Sequence, residues 1–143
     1  MLRSLYCYAM GTAVMAAAVP QATAADVALP TALASLKPGQ WQLQPVTAGT
    51  PAKTLCLGDP RILLQLRHGT LSCNRFVITN EPSHAVVHYA CGAGGNGRTS
   101  IRVETPRVIQ IESQGIVNSS PFEIAYEARR IGDCPETKQT ERR

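Results

Sequence analysis

The sequence predicts an all-β fold with one short helix: an antiparallel meander of about seven strands, forming a curled sheet or half-open barrel held by two disulfides. Three observations carry this. Phe122, Ile124, Tyr126 and Ala128 fall on alternate positions with Glu123, Glu127 and Arg129 between them, the period of a half-buried strand. Similar runs recur along the chain, separated by short turn-forming stretches. Four of the five cysteines lie in the patterned region, the even count expected of a small disulfide-linked exported domain.

Residues 1–24 read as a signal peptide. Met1-Leu2-Arg3 is a short basic start, Ser4 to Val19 is mostly apolar and small, and Ala22-Thr23-Ala24 has the small-x-small pattern of a cleavage site. Gly11, Thr12 and Pro20 interrupt the apolar run, which is shorter than the roughly 20 residues of a membrane span. No transmembrane segment is expected after processing. Cys7 would leave with the peptide, and 143 less 24 leaves 119 residues, one domain's worth. Its charge is +3, since Arg3 also leaves 13 basic residues against 10 acidic ones. The basic residues are scattered among acidic ones without an aromatic-basic stripe, so nucleic acid is not an expected partner.

Residues 25–36, with Pro30, read as an extended lead-in to a domain spanning 37–134. After the turn Lys37-Pro38-Gly39, Trp41 and Leu43 alternate with glutamines in a first strand, and Lys53, Leu55 and Leu57 share one face of a second. Asp59 is a good N-cap, Pro60 suits a first helical position and Gly69 a stop, so a helix of about two turns is expected to pack Ile62, Leu63 and Leu66 across the sheet. Strands from Cys73 and from His84 form a hairpin around Glu81-Pro82-Ser83. Its register sets Val77 against Val87, Ile78 against Val86 and Cys73 against Cys91. Gly92 to Gly97 reads as a flexible connection. A three-residue loop at Thr105-Pro106-Arg107 then sets Ile101 opposite Ile111 and Val103 opposite Ile109. The last strand follows Gly115 to Ser120, and 135–143 is a polar tail without an apolar residue.

Strict alternation of strand direction favours pairing Cys73 with Cys91 and Cys56 with Cys134. The alternative, Cys56 with Cys73 and Cys91 with Cys134, stays open because the helix after Cys56 could turn the chain either way. A metal site is not expected from these cysteines, since 16, 17 and 42 residues separate successive ones and structural zinc needs close pairs.

Lys37-Pro38-Gly39-Gln40-Trp41, Cys56-Leu57, Cys73 and Cys91 a hairpin apart, and Arg129-Arg130-Ile131-Gly132-Asp133-Cys134 together resemble the DUF3617 family, exported bacterial domains of unknown function. A proline-glycine-x-tryptophan opening and an arginine-x-isoleucine-glycine-x-cysteine ending bracket that domain. The resemblance covers Lys37 to Cys134. It implies a Gram-negative periplasmic location and names no catalytic residue.

The remaining motifs give little chemistry. Gly92 to Gly97 matches G-x-G-x-x-G, but a strand and not a helix follows, so no dinucleotide or other cofactor is expected. His84 and His88 lie about 13 Å apart on one strand face, too far to share a metal ion. His68 fits the dipole at a helix C-terminus. Glu123 and Glu127, also about 13 Å apart, read with Arg102 and Arg129 as cross-strand charge pairs. The expected function is a non-enzymatic binding or interaction module for an envelope component or an apolar small ligand. The ligand would meet Trp41, Ile101, Ile109, Phe122 and Tyr126. The alternative is a hydrolase-type enzyme that uses His84 or His88, which requires one of them within hydrogen-bond reach of a serine or carboxylate in a cleft.

Overall fold

Seven strands pair side by side in the order β2-β1-β7-β6-β5-β4-β3, every pair antiparallel, in a sheet that stays open at β2 and β3. They are β1 (Gly39–Pro45), β2 (Lys53–Leu57), β3 (Asn74–Asn80), β4 (His84–Ala90), β5 (Gly95–Thr105), β6 (Val108–Val117) and β7 (Ser120–Gly132). The computed structural model describes residues 28–136; residues 1–27, with the expected signal peptide, and residues 137–143 of the expected polar tail lie outside that range. The meander runs unbroken from β3 to β7. The β1–β2 hairpin joins it at β7, so the chain must travel from one edge of the sheet to the other between β2 and β3.

That crossing covers the inner face. Pro60–Gln65 is a 3-10 helix, capped by Asp59 through a 2.9 Å bond from the Arg61 N–H and followed by Gly69 at φ +55°. The start is therefore the one expected, but the helix stops at Gln65, with Gly69 in the turn that follows, and the winding is tighter. At about three residues per turn the apolar stripe moves: Leu63 and Leu64 are buried while Ile62 faces solvent. The Thr99 hydroxyl donates to the Leu64 carbonyl at 2.8 Å and pins this segment to β5.

The lead-in is not simply extended. Thr31–Ala34 forms one helical turn, α1, whose Ala32 and Leu33 are fully buried, with Leu36 just beyond. Asn80 at the end of β3 accepts from the Thr31 N–H at 2.8 Å, satisfying a donor that a helix start leaves free. A turn this short has no stability of its own and forms because the sheet buries it. Together α1 and the 3-10 segment cover Trp41, Leu43, Leu57, Ala85, Val87, Ile101, Ile109, Ile111 and Ala128, one contiguous core.

Most of the expected registers are found. Val77 faces Val87, Ile101 faces Ile111 and Val103 faces Ile109. The β3–β4 register shifts between Val77 and Thr79, so Thr79 and not Ile78 meets Val86; Ile78 is exposed. Cys73 and Cys91 are joined, with Cα atoms 4.1 Å apart, and Cys56 and Cys134 likewise at 5.5 Å.

Two connections differ from expectation. Only Gly92–Gly94 is loop; Gly95 to Gly97 already belong to β5 and pair with β6. Gly97 is also paired with Tyr89, and a Cβ there would overlap the tyrosine ring, which is why this strand start carries no side chain. Gly115 to Ser120 is not one connection either. β6 runs on to Val117, and Asn118 and Ser119, at φ 48° and 65°, make a two-residue turn of the kind that matches strand twist.

Candidate functional site

Alternation along β5 sends Thr99 and Ile101 into the core and leaves Arg98, Ser100 and Arg102 on the outer face. Registers on either side then assemble cross-strand rows. His84, Arg102, Gln110 and Glu127 form one, Val86, Ser100, Glu112 and Ala125 the next, and His88, Arg98, Gln114 and Glu123 the third. A groove of about 550 Å³ lies over this grid, lined in part by His84, Arg98, Ser100, Arg102, Glu112 and Glu123. A second depression of about 380 Å³ adjoins it, sharing Arg98, Gln114 and Glu123 and adding His88 and Phe122.

Charge is unevenly divided. The β4–β5 half holds Arg98, Arg102, His84 and His88 against Glu104, which accepts from Gln110, and the β6–β7 half holds Glu112, Glu123 and Glu127 against Arg129. Among the described residues neither Arg98 nor Arg102 takes part in an ion pair. The expected cross-strand pairing of Glu123 and Glu127 with Arg102 is therefore not found. Glu127 pairs instead along its own strand, accepting from Arg129 Nε at 2.7 Å, with Gln110 Nε2 at 3.4 Å across the ladder. These donors, the arginine first, hold the Glu127 carboxyl below its usual range.

His84 Nε2 lies 3.1 Å from Ser100 Oγ, and its Nδ1 lies 3.9 Å from Glu81 Oε2, a distance for an ion pair but not a hydrogen bond. His88 stands two residues along the same face of β4 from Val86, between Phe76 and Arg98. Among the described residues no group of three or more His, Cys, Asp or Glu side chains is placed to hold a metal ion, and no helix is long and apolar enough to cross a membrane.

Of the residues expected to meet a ligand, Phe122 borders the second depression and the others lie on the other side of the sheet. Trp41, Ile101 and Ile109 are fully buried among Leu33, Leu63 and Leu64, and Phe122 and Tyr126 are half-buried at the margin. They pack the domain. Sequence reasoning passed over Arg98, Ser100, Glu112 and Gln114. The Ile101–Ile111 register already implied Ser100 beside Glu112, but placing His84 beside them needed the β4–β5 register hidden by the glycines.

His68 is also placed differently than expected. It is buried, with Nε2–H donating to the Ile116 carbonyl at 3.0 Å and Nδ1 accepting from the Tyr89 hydroxyl at 3.1 Å. Tyr89 is itself fully buried. Burial pushes its hydroxyl above the ordinary tyrosine range, partly opposed by hydrogen bonding to Ser113 and Thr99. A raised folded value stabilises the fold below the unfolded value of about 10, and that contribution is lost as pH rises through the folded value. Tyr89→Phe is expected to cost about 1–3 kcal/mol at neutral pH by leaving His68 Nδ1 unpaired. It should also flatten the decline in stability above pH ~10, as read by urea unfolding at pH 7 and at alkaline pH. An alkaline limb as steep as that of the wild type would show that another group sets it.

Fold and site thus define an open, disulfide-linked, seven-stranded antiparallel domain with an apolar inner face under two short helical segments and a polar grooved outer face. No family model matches the chain, and neither a curated protein nor a solved structure matches it.

Proposed function

We propose that this chain is a non-enzymatic binding module of the Gram-negative periplasm, akin to the DUF3617 domains it resembles, and that its outer groove takes an anionic envelope component. The observation that carries this reading is the pair Arg98 and Arg102, set on one strand face over the groove with no ion-pair partner among the described residues. Guanidinium forks suit carboxylate and phosphate groups. The signal-like start and the two disulfides support export. An apolar ligand inside the fold has less support, because Trp41, Ile101 and Ile109 are packed core.

The test is native mass spectrometry of the protein exported to the periplasm of a Gram-negative host. A retained anionic molecule, absent from the R98Q/R102Q double variant, is expected. No retained species, or one that survives the double variant, would overturn the reading.

A hydrolase is the second reading, favoured by His84 within 3.1 Å of Ser100. It ranks lower on physical grounds. Ser100 sits mid-strand between β4 and β6, where the ladders take up the backbone N–H groups that an oxyanion hole would need. Ser100 is expected to resist a fluorophosphonate probe; labelling that Ser100→Ala and His84→Ala both abolish would favour the enzyme instead.

A further inference from the structure

The outer face does not end at β4. Phe76 on the edge strand β3 pairs with His88, which pairs with Arg98, so aromatic ring, imidazole and guanidinium stand in one row across three strands. Ile78, two residues on, follows Phe76 in the alternation and is exposed like it. Phe76 is 59% exposed and Ile78 56%, among the most exposed large apolar side chains described. They lie about 10 Å, two strand spacings, from β5, whose two arginines are about 13 Å apart along the strand. Beyond them, on β6 and β7, stand Glu112 and Glu123, which take part in no ion pair among the described residues, and Glu127, which is paired with Arg129.

We propose that the β3–β5 half of this face docks on a bilayer surface rich in anionic phospholipid. Phe76 and Ile78 enter the headgroup layer, and Arg98 and Arg102 meet lipid phosphates. The inference rests on reading the groove as an anion site and names the anion's source. Size favours a membrane over a protein partner. A footprint of about 10 by 13 Å is far short of the roughly 800 Å² per side of a stable protein interface. Interfacial binding has no such threshold, since it grows with each apolar group inserted and each basic group placed near anionic lipid. Glu112 and Glu123, the carboxylates of that half without an ion-pair partner among the described residues, set the orientation, because repulsion tilts them away from the surface.

The experiment is co-sedimentation of the purified protein with vesicles of phosphatidylglycerol and phosphatidylethanolamine, against vesicles of phosphatidylcholine alone. Pelleting with the anionic vesicles only is expected. R98Q/R102Q should weaken it by roughly thirty-fold, from about fivefold per basic residue near the surface, and F76S/I78S should also weaken it. A Phe76→Trp variant, which keeps the apolar anchor, should show its emission shift to the blue on anionic vesicles, a signal that a merely structural role would not give. No pelleting, equal pelleting with phosphatidylcholine, or indifference to F76S/I78S would overturn the proposal. If native mass spectrometry finds a soluble anion dependent on Arg98 and Arg102 while vesicles are ignored, membrane docking falls and the groove reading stands. If both experiments are blank, both fall.

Discussion

Replacing Trp41 with alanine is expected to destabilise the domain by about 3–5 kcal/mol, a large part of the roughly 5–15 kcal/mol by which a small domain is stable. Trp41 is the single tryptophan and has no exposed surface. It sits on β1, the strand that ties the β2 edge to β7, so the cavity would open at the joint between the hairpin and the meander. Its indole N–H donates to the Lys37 carbonyl at 3.0 Å, fixing the turn that delivers the chain into β1. Trp41→Phe should cost less, since it keeps an aromatic ring and loses the hydrogen bond and part of the volume. Because either variant removes the fluorophore, urea unfolding is best followed by far-ultraviolet circular dichroism. A loss below about 1.5 kcal/mol for Trp41→Ala would mean that the neighbouring side chains collapse into the space, contrary to the usual cost of emptying a packed site.

Local alternation made the strands legible, and register made their partners legible wherever a short turn linked them. Ile101 could be set against Ile111 because a one-residue slip would have turned a whole apolar face outward. The position of β1 beside β7 could not be found that way, because no short turn joins them and the pairing depends on how the chain crosses the inner face. α1 escaped for a different reason: four residues are too few to display a helical period, and its stability comes from burial. The turn at Asn118 and Ser119 carried a readable sign in its asparagine, a residue that tolerates positive φ, but Gly115 drew attention to the wrong place. Gly115 lies in β6, where its missing side chain admits the backbone of Asn96 and Gly97.

The groove was legible only in part, and the reason is general to antiparallel sheets. An inner face announces itself through hydrophobic pattern, since burying the wrong residue is costly. Outer-face residues such as Arg98, Ser100 and Glu112 are free to vary as far as folding is concerned, so their grouping follows only from the full set of registers. The same freedom makes the unpaired arginines informative. Glu127 has found Arg129 along its own strand, whereas Arg98 and Arg102 form no ion pair with any described carboxylate, although Glu112 stands opposite Ser100 between them.

Loss of the Cys56–Cys134 bridge should destabilise the fold more than loss of Cys73–Cys91. The cysteines are separated by 78 and 18 residues respectively. Loop-closure entropy assigns about 4.5 kcal/mol to the longer loop and about 3 kcal/mol to the shorter. Position in the sheet argues the same way. Cys73 and Cys91 flank the β3–β4 hairpin, whose strands a short turn and a continuous ladder already hold together. Cys56 lies on the edge strand β2 and Cys134 just beyond β7, so their bridge spans β1 and staples the hairpin to the last strand of the meander. Without it, that edge is held by the β1–β7 ladder, with its register shift between Gln40 and Trp41, and by burial of Trp41, Leu43 and Leu57. The C56A/C134A variant is therefore expected to unfold at lower urea than C73A/C91A, each compared with the oxidised wild type. Equal or reversed midpoints would show that the edge hairpin is secured by its burial under α1 and the 3-10 segment, and that the long loop closes at less entropic cost than chain statistics assign.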